Sequence, residues 1–255
     1  MNPTAYAATT VRILKQLKAD HRTVAMIVVV PTVLMTLLYF IYEDYPTFPG
    51  QQPLFDRVGM SMLGILPFVA MFLVTAIAMQ RERSSGTLER LMTTPISKLD
   101  LLGGYGTAFS VAAAVQAALA CAVSFGLLGL DTAGGIGLVI LVAMVDAVLG
   151  VALGLLASAF ARTEFQAVQF MPLVVAPQLF LCGLLVPRGQ LPGWLEAISN
   201  FLPLSYAVDA LNEVATHSTA TGQMWRDILV VAAFADAVGA VDVLVNNAGG
   251  AKGLA

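Results

Sequence analysis

The stretch "IGLVILVAMVDAVLGVALGLLASAF", residues 136–160, decides the fold class. It is apolar except for Ser158 near its end and one charged residue, Asp146, near its middle. A helix needs about 20 mostly apolar residues to cross the hydrocarbon core of a bilayer. The stretch is long enough, so it predicts a membrane-spanning helix.

The composition of the whole chain points the same way. Of its 255 residues 58% are hydrophobic and only 11% are charged, and the mean hydropathy is +0.82. Soluble domains carry about 25% charged residues, so a soluble domain is excluded. The net charge of −3 says little about partners; we expect contact with membrane lipid and no nucleic-acid partner. Cys121 and Cys182 lie in apolar runs and are expected to be free thiols, and no His/Cys cluster has the spacing of a metal site.

Apolar runs predict six spans, at residues 24–42, 58–79, 101–130, 136–160, 165–186 and 228–245. The sixth is doubtful because Asp236 lies near its middle, and a charge at the centre of a span costs about 2.5–3.5 kcal/mol on insertion scales. We expect this last helix to be short, weakly held or irregular.

Basic residues predict the orientation. With the N-terminus inside, most of the 13 Lys and Arg residues fall on one side, and only Arg57, Arg188 and Arg226 fall on the other. The positive-inside rule therefore puts the N-terminus in the cytoplasm. Residues 1–23 contain "TTVRILKQLKADHR", whose apolar residues recur at helical spacing. We expect an amphipathic helix along the membrane surface; the alternative is an ordinary solvated helix.

One polar segment is flanked on both sides by apolar residues: "QRERSSGTLERLMTTPISKLD", residues 80–100. In this topology it is a cytoplasmic loop. Thr87 could cap a short helix that Pro95 ends. Leu88, Leu91 and Met92 would share one face, which suits docking in a groove on a soluble partner. The alternative is a positively charged loop that only sets the topology.

Two blocks resemble a known family. The segment "QRERSSGTLERLMTTPISKLDLLGGY", residues 80–105, resembles the Glu-(x)n-Gly-Thr-Leu-Glu-x-Leu-x-x-Thr-Pro segment of ABC-2 type exporter permeases, most closely the daunorubicin-resistance and nodulation-export branch. The segment "LCGLLVPRGQLPGWLEAISNFLPLSYAVDALNEV", residues 181–214, resembles that family's Gly-x-x-x-Pro-x-x-x-Leu-Pro-x-Trp pattern and the Pro-Leu-Ser/Thr-Tyr element after it.

The resemblance implies an all-α polytopic membrane protein: a six-span bundle with an N-terminal connecting helix, a cytoplasmic coupling helix and extracellular re-entrant helices. The matching positions for coupling to an ATPase are Arg81, Glu82, Gly86, Thr87, Leu88, Glu89, Leu91 and Pro95. The matching positions of the re-entrant segment are Pro187, Leu191, Pro192, Trp194, Pro203 and Tyr206, and its three prolines are expected to break it into short pieces.

The resemblance also implies partners. Such permeases form homodimers or pair with a paralogous permease, and they bind separate ABC ATP-binding subunits. The sequence contains no Gly-x-x-x-x-Gly-Lys-Ser/Thr segment, so ATP and Mg²⁺ are expected on the partner subunit, and no catalytic or metal-binding residue is assigned here.

The expected function is export of an amphipathic drug, lipid or glycolipid across the bacterial inner (plasma) membrane, as in multidrug resistance. The alternative is a non-transporting membrane scaffold or immunity protein with the same fold. Retention of an ATPase whose hydrolysis depends on the 80–95 segment would favour the exporter.

The end of the sequence does not fit this family. The stretch "VDVLVNNAGG", residues 241–250, resembles the Asn-Asn-Ala-Gly segment of short-chain dehydrogenases. The Thr-Gly-x-x-x-Gly-x-Gly turn of that family is missing, and no tyrosine has a lysine four positions on. We therefore expect no enzyme, and treat residues 246–255 as a discordant tail that arose by chance or through a reading-frame or fusion event.

Polar and small residues inside the spans leave two questions open. Asp146 could line a substrate path or pair across a dimer, or it could be a protonated carboxyl group hydrogen-bonded to a neighbouring helix. Gly150 and Gly154 have the Gly-x-x-x-Gly spacing that lets helices approach closely. That spacing suits packing within the chain and a dimer surface equally well.

Overall fold

The computed structural model describes residues 3–46, 52–87 and 97–250, and of Lys98 and residues 242–250 it describes the backbone alone. Within these ranges the chain is helical and contains no strand. The helices are α1 (Pro3–Ala19), α2 (His21–Tyr42), α3 (Leu54–Ser84), α4 (Lys98–Gly126), α5 (Ile136–Phe160), α6 (Glu164–Leu181), α7 (Gly193–Ser199), α8 (Pro203–Thr216) and α9 (Gly222–Gly250), with a 3-10 turn at Arg188–Gln190. The prediction of an all-α polytopic protein is confirmed.

Among the described residues, four helices are long and apolar enough to cross a membrane: α2, α3, α4 from Leu99 onward, and α5. The predicted spans 165–186 and 228–245 correspond to α6 and α9. α6 contains three glutamine residues, and α9 contains four charged residues, Arg226, Asp227, Asp236 and Asp242. Whether α6 and α9 cross the membrane stays a prediction.

The last helix differs from the expectation of a short or irregular segment. α9 runs without interruption from Gly222 to Gly250 and packs against α5 and α8. It contains no proline, and the Asp236 side chain is exposed, so its charge is not buried among neighbouring helices. The backbone of the dehydrogenase-like stretch is also helical as far as Gly250.

The two ends of α4 differ from their predicted positions. α4 begins at Lys98 and ends at Gly126, whereas the predicted span was 101–130. Its N-cap is Ser97, whose hydroxyl accepts the Asp100 N–H at 3.1 Å. Apolarity alone locates the centre of such a helix, and the capping bond determines its first turn.

The central element of the bundle is α3, which contributes to every apolar core cluster among the described residues. It packs most closely on α5. A Cβ added at Gly150 would lie 2.4 Å from the Phe68 carbonyl oxygen, and one at Gly154 would lie 2.6 Å from the Phe72 carbonyl oxygen. The Gly-x-x-x-Gly spacing therefore serves helix packing within the chain.

The bundle has two ends, which we name by residue. At the Arg81 end lie α1, the last turn of α3 and the first turn of α6. At the Asp131 end lie the turn between α4 and α5 and the start of α3, joined by a bond from the Asp131 N–H to Asp56 Oδ1 at 3.2 Å.

The segment expected to form re-entrant helices is divided by prolines, as predicted. Pro187 precedes the 3-10 turn, Pro192 precedes α7, and Pro203 is the first residue of α8. One face of α8 is buried, and the helix packs against α3 and α9. Trp194, in contrast, is 67% exposed.

Candidate functional site

Arg81 ties the end of α3 to two other elements. Its Nε and Nη2 atoms donate to the two carboxylate oxygens of Glu164 at 3.2 and 3.4 Å, and its Nη1 lies 3.9 Å from Asp20 Oδ2. Glu164 is the first residue of α6, and Asp20 is the N-cap of α2. The fork geometry fixes the orientation of the guanidinium group, so the three helix ends are held together at one point.

Asp20 is itself well fixed. Its carboxylate accepts the Thr23 hydroxyl at 2.7 Å and the Thr23 N–H at 3.2 Å. These two bonds, with a smaller contribution from the Arg81 guanidinium, lower the pKa of Asp20 below its ordinary value. The carboxylate is therefore ionised at neutral pH, both as a cap for α2 and as a partner for Arg81.

Glu82, the next predicted coupling residue, faces α4 and α1. Its carboxylate lies near the hydroxyl of Tyr105, a fully buried α4 residue, and its Oε2 atom is buried without a hydrogen-bond partner among the described residues. The same hydroxyl accepts a hydrogen bond from Arg12 Nη2 at 2.7 Å, and the Arg12 guanidinium lies 5.7 Å from the centre of the tyrosine ring. Arg12 belongs to α1, so this cluster connects the N-terminal helix to the end of α3.

Close packing holds α1 against the first turns of α4. A Cβ added at Gly104 would lie 2.8 Å from the Thr9 Cβ, so only glycine allows this approach. The Tyr6 hydroxyl also forms a hydrogen bond with the Thr107 hydroxyl. The predicted amphipathic helix is therefore docked on the bundle along one face, and the exposed Lys15 and Lys18 lie off that face.

Gly86 ends α3. Its φ of +70° is left-handed, a conformation that favours glycine and terminates helices. Its N–H donates to the Arg83 carbonyl at 3.2 Å, and Ser85 and Thr87 share a hydrogen bond between their hydroxyls at 2.9 Å. The other predicted coupling residues, Leu88, Glu89, Leu91 and Pro95, lie outside the described residues.

A cavity of about 630 Å³ opens beside these contacts, between α1, α2, α3 and α4. Ile13, Met26 and Phe109 are among its apolar lining, and Arg81 and Glu82 are among its polar residues. The predicted coupling residues that the structure describes thus lie together at one end of the bundle.

Arg188, which was not among the predicted site residues, joins several parts of the re-entrant segment. The Arg188 guanidinium pairs with Asp209, donates to Asn200 and donates to Ser199 Oγ at 2.9 Å. It also lies 5.1 Å from the centre of the Tyr206 ring. Arg188 therefore fastens the segment before α8 onto α8. A lone arginine between two prolines was the only available signal, because its acidic partner is 21 positions away.

Asp146 lies in the interior, away from both ends. Its side chain is fully buried, and neither carboxylate oxygen has a hydrogen-bond partner among the described residues. A Cβ added at Gly64 would lie 3.2 Å from Asp146 Oδ2, so the carboxyl group faces the α3 backbone at a glycine. The predicted hydrogen bond to a neighbouring helix is not present in this part of the chain.

In the described ranges no group of three or more His, Cys, Asp or Glu residues is placed to hold a metal ion. The Arg81 end contains a set of charged contacts between helices. Such a set can hold helices in register or transmit a displacement.

Known proteins resemble the chain over most of its length. The protein named "Probable doxorubicin resistance ABC transporter permease protein DrrC" of Mycobacterium tuberculosis is 27% identical over 210 residues, 80% of this chain and 74% of that protein. "Linearmycin resistance permease protein LnrN" of Bacillus subtilis is 27% identical over 147 residues, 58% of this chain and 37% of that protein. "Probable multidrug ABC transporter permease YbhR" of Escherichia coli is 23% identical over 168 residues, 66% of this chain and 46% of that protein.

The chain spans less than half the length of the latter two relatives. The model of the family described as ABC-2 type transporter matches residues 4–215, which include both ends of the bundle and every helix from α1 to α8. The chain therefore belongs to the ABC-2 type transporter family.

Proposed function

We propose that this chain is the membrane-spanning permease subunit of an ATP-driven exporter, which moves an amphipathic drug, lipid or glycolipid out of the cytoplasm. A separate ABC ATP-binding subunit binds ATP and Mg²⁺ and docks on the segment after α3. The permease acts as a homodimer or beside a paralogous permease in the bacterial inner membrane, with its N-terminus in the cytoplasm.

The observation that carries this proposal is the pairing of Arg81 with Glu164 and Asp20. A subunit that pushes on residues 88–96 acts on the end of α3. Through Arg81 the push also reaches α6 and the junction of α1 and α2. A short segment connected to several helices is what transmission of force from a motor to a bundle requires.

The long α3 then conveys the displacement to the rest of the molecule. Its side chains belong to the core clusters near both ends, and it contacts α8 close to the segment that Arg188 holds. Packed interiors are dense and hardly compressible. A displacement of α3 at the Arg81 end is therefore expected to reach the Asp131 end instead of being absorbed within the core.

The names of the relatives support the cargo class. Two of them are named for resistance to doxorubicin or linearmycin, and a third is named as a multidrug permease. This chain offers apolar cavities and no dense ring of charges in its described part, which suits amphipathic cargo better than strongly ionic cargo.

The test is copurification of the tagged chain with an ABC ATP-binding subunit from the same genome, followed by measurement of ATP hydrolysis and cargo efflux. Gly86→Pro is the informative variant because proline cannot adopt the φ of +70° at this position. We expect the variant to lose efflux and ATPase stimulation, and Glu82→Ala to weaken both. Ser84→Ala, an exposed neighbour, is the control.

Failure of the wild-type chain to retain any ATP-binding subunit would contradict the proposal. Retention of the subunit without movement of any amphipathic cargo would favour the scaffold or immunity protein.

A further inference from the structure

The structure contains a second large cavity, which the coupling contacts do not use. A groove of about 690 Å³ lies between α4, α5 and α9, a size in the range of small-molecule sites, about 300–1,000 Å³. Its α4 part lies in the first turns of that helix, between Leu99 and Ser110, and its α5 part extends from the middle of that helix, at Met144, to Leu155 near its end. The groove therefore occupies the half of the bundle nearer the Arg81 end.

The lining of the groove is almost entirely apolar. Val148, Val151 and Leu155 are typical of the α5 wall, and Ala232 and Ala235 belong to the α9 wall. The polar groups are few: the Tyr6 and Ser110 hydroxyls and one carboxylate. An apolar groove with few polar groups suits amphipathic molecules, because the apolar walls contact the body of the ligand and the few polar groups fix the position of its polar part.

Asp236 is the only charged residue among the described residues that line this groove. It is exposed, and no described residue forms a hydrogen bond or ion pair with it. It lies near the middle of α9. The proposed topology makes α9 a membrane span, and a carboxylate near the middle of a span is unfavourable unless a cation or water accompanies it, which marks it as a functional position by default.

We propose that the groove between α4, α5 and α9 is a binding site for a small amphipathic cation, whose apolar body contacts the α5 wall and whose charge pairs with Asp236. Charge complementarity excludes amphipathic anions as the preferred occupant, since the described lining offers a carboxylate and no basic side chain. The inference rests on the proposed function, because it names the class of cargo that such an exporter would accept.

Binding of tetraphenylphosphonium tests the inference without an ATPase. The full chain is placed in phosphatidylcholine nanodiscs, and uptake by empty nanodiscs is subtracted. Tetraphenylborate has nearly the same size and the opposite charge, so it serves as the matched probe. The wild type is expected to prefer the phosphonium. Asp236→Asn should weaken phosphonium binding roughly tenfold or more, the magnitude of a lost bond to a charged group, without weakening borate binding.

Two further variants define the site. A Cβ at Gly239 meets no atom within 4 Å, so Gly239→Leu places a side chain in open space and should weaken binding of both probes. Asp44→Asn removes the same charge from an exposed position outside the groove and should change nothing.

Three results would overturn the inference: no saturable phosphonium binding by the wild type, unchanged phosphonium binding by Asp236→Asn, or equal loss of both probes in that variant. Failure of the proposed function would be recognised by a different result, namely that the wild-type chain does not retain an ATP-binding subunit. Asp236→Asn is expected to retain that subunit.

Discussion

Arg81 and Glu164 are 83 positions apart in the sequence and are joined by two hydrogen bonds, of 3.2 and 3.4 Å. Both side chains are about half exposed, so the pair contributes only about 0–1 kcal/mol to stability. Its significance is geometric: it joins the end of α3 to the beginning of α6. Disrupting it should therefore affect function more than folding.

The first prediction concerns this pair. Arg81→Gln and Glu164→Gln should each lower ATP-driven efflux several-fold with little change in thermal stability, and the double variant should be no worse than either. The exchanged pair, Arg81→Glu with Glu164→Arg, should recover part of the efflux. Additive losses in a double-mutant cycle would show that the two residues act independently.

The chain's local patterns predicted its helices well, and their contacts poorly. Apolar runs of sufficient length located α2, α3, α4 and α5, because the requirement for a span is local. The prolines at 187, 192 and 203 likewise predicted breaks between short helices. In contrast, nothing near Arg81 points to Glu164, because the contact exists only once α3 and α6 lie side by side. Arg188 was overlooked for the same reason.

The Gly-x-x-x-Gly spacing on α5 is an example in which the sequence predicted a close contact but did not identify the contacting atoms. Its periodicity was sufficient to predict close approach of two helices at Gly150 and Gly154. Only the structure identifies the carbonyl oxygens of Phe68 and Phe72 as the atoms approached. The spacing predicts that another helix lies close, and the packing of the chain determines which helix and which of its atoms approach the glycines.

The second prediction follows from that packing. Gly150→Ala should destabilise the protein by about 1–3 kcal/mol, because its methyl group would overlap the α3 backbone. Gly137→Ala is the matched control on the same helix, since a Cβ there meets no atom within 4 Å. It should be neutral or stabilising by up to about 1 kcal/mol through helix propensity. Thermal unfolding in detergent measures both, and equal effects would contradict the packing argument.

The third prediction concerns the contacts of Arg188. Arg188→Met removes its bonds to Ser199, Asn200 and Asp209 and leaves a mostly buried carboxylate without its cation. We expect a loss of about 2 kcal/mol or more in stability and faster proteolysis between residues 187 and 202. Arg57→Met, an exposed arginine at the same end, should leave both unchanged. Protection equal to that of the wild type would show that α8 holds this segment by apolar contacts alone.

The fourth prediction separates structure from function at Asp146. Its carboxyl group is fully buried and has no hydrogen-bond partner among the residues that the structure describes, which destabilises the fold. Asp146→Leu keeps the branched arrangement of four side-chain heavy atoms and removes the unpaired oxygens, so it should raise stability by about 1–3 kcal/mol. If the residue serves transport, the same variant should lose efflux while it gains stability, as strained functional sites do. Full efflux together with higher stability would show that Asp146 has no role in transport.

The fifth prediction is the orientation of the bundle. Cys121 and Cys182 are fully buried, so a cysteine introduced at an exposed position should be the main target of a membrane-impermeant maleimide. The distribution of Lys and Arg puts the Arg81 end in the cytoplasm. In intact cells Asp131→Cys should therefore react, and Ser84→Cys should react only after lysis. Labelling of Ser84→Cys in intact cells would show that the topology is the reverse of the predicted one. The predicted coupling segment would then lie outside the cytoplasm, where no ATPase could reach it.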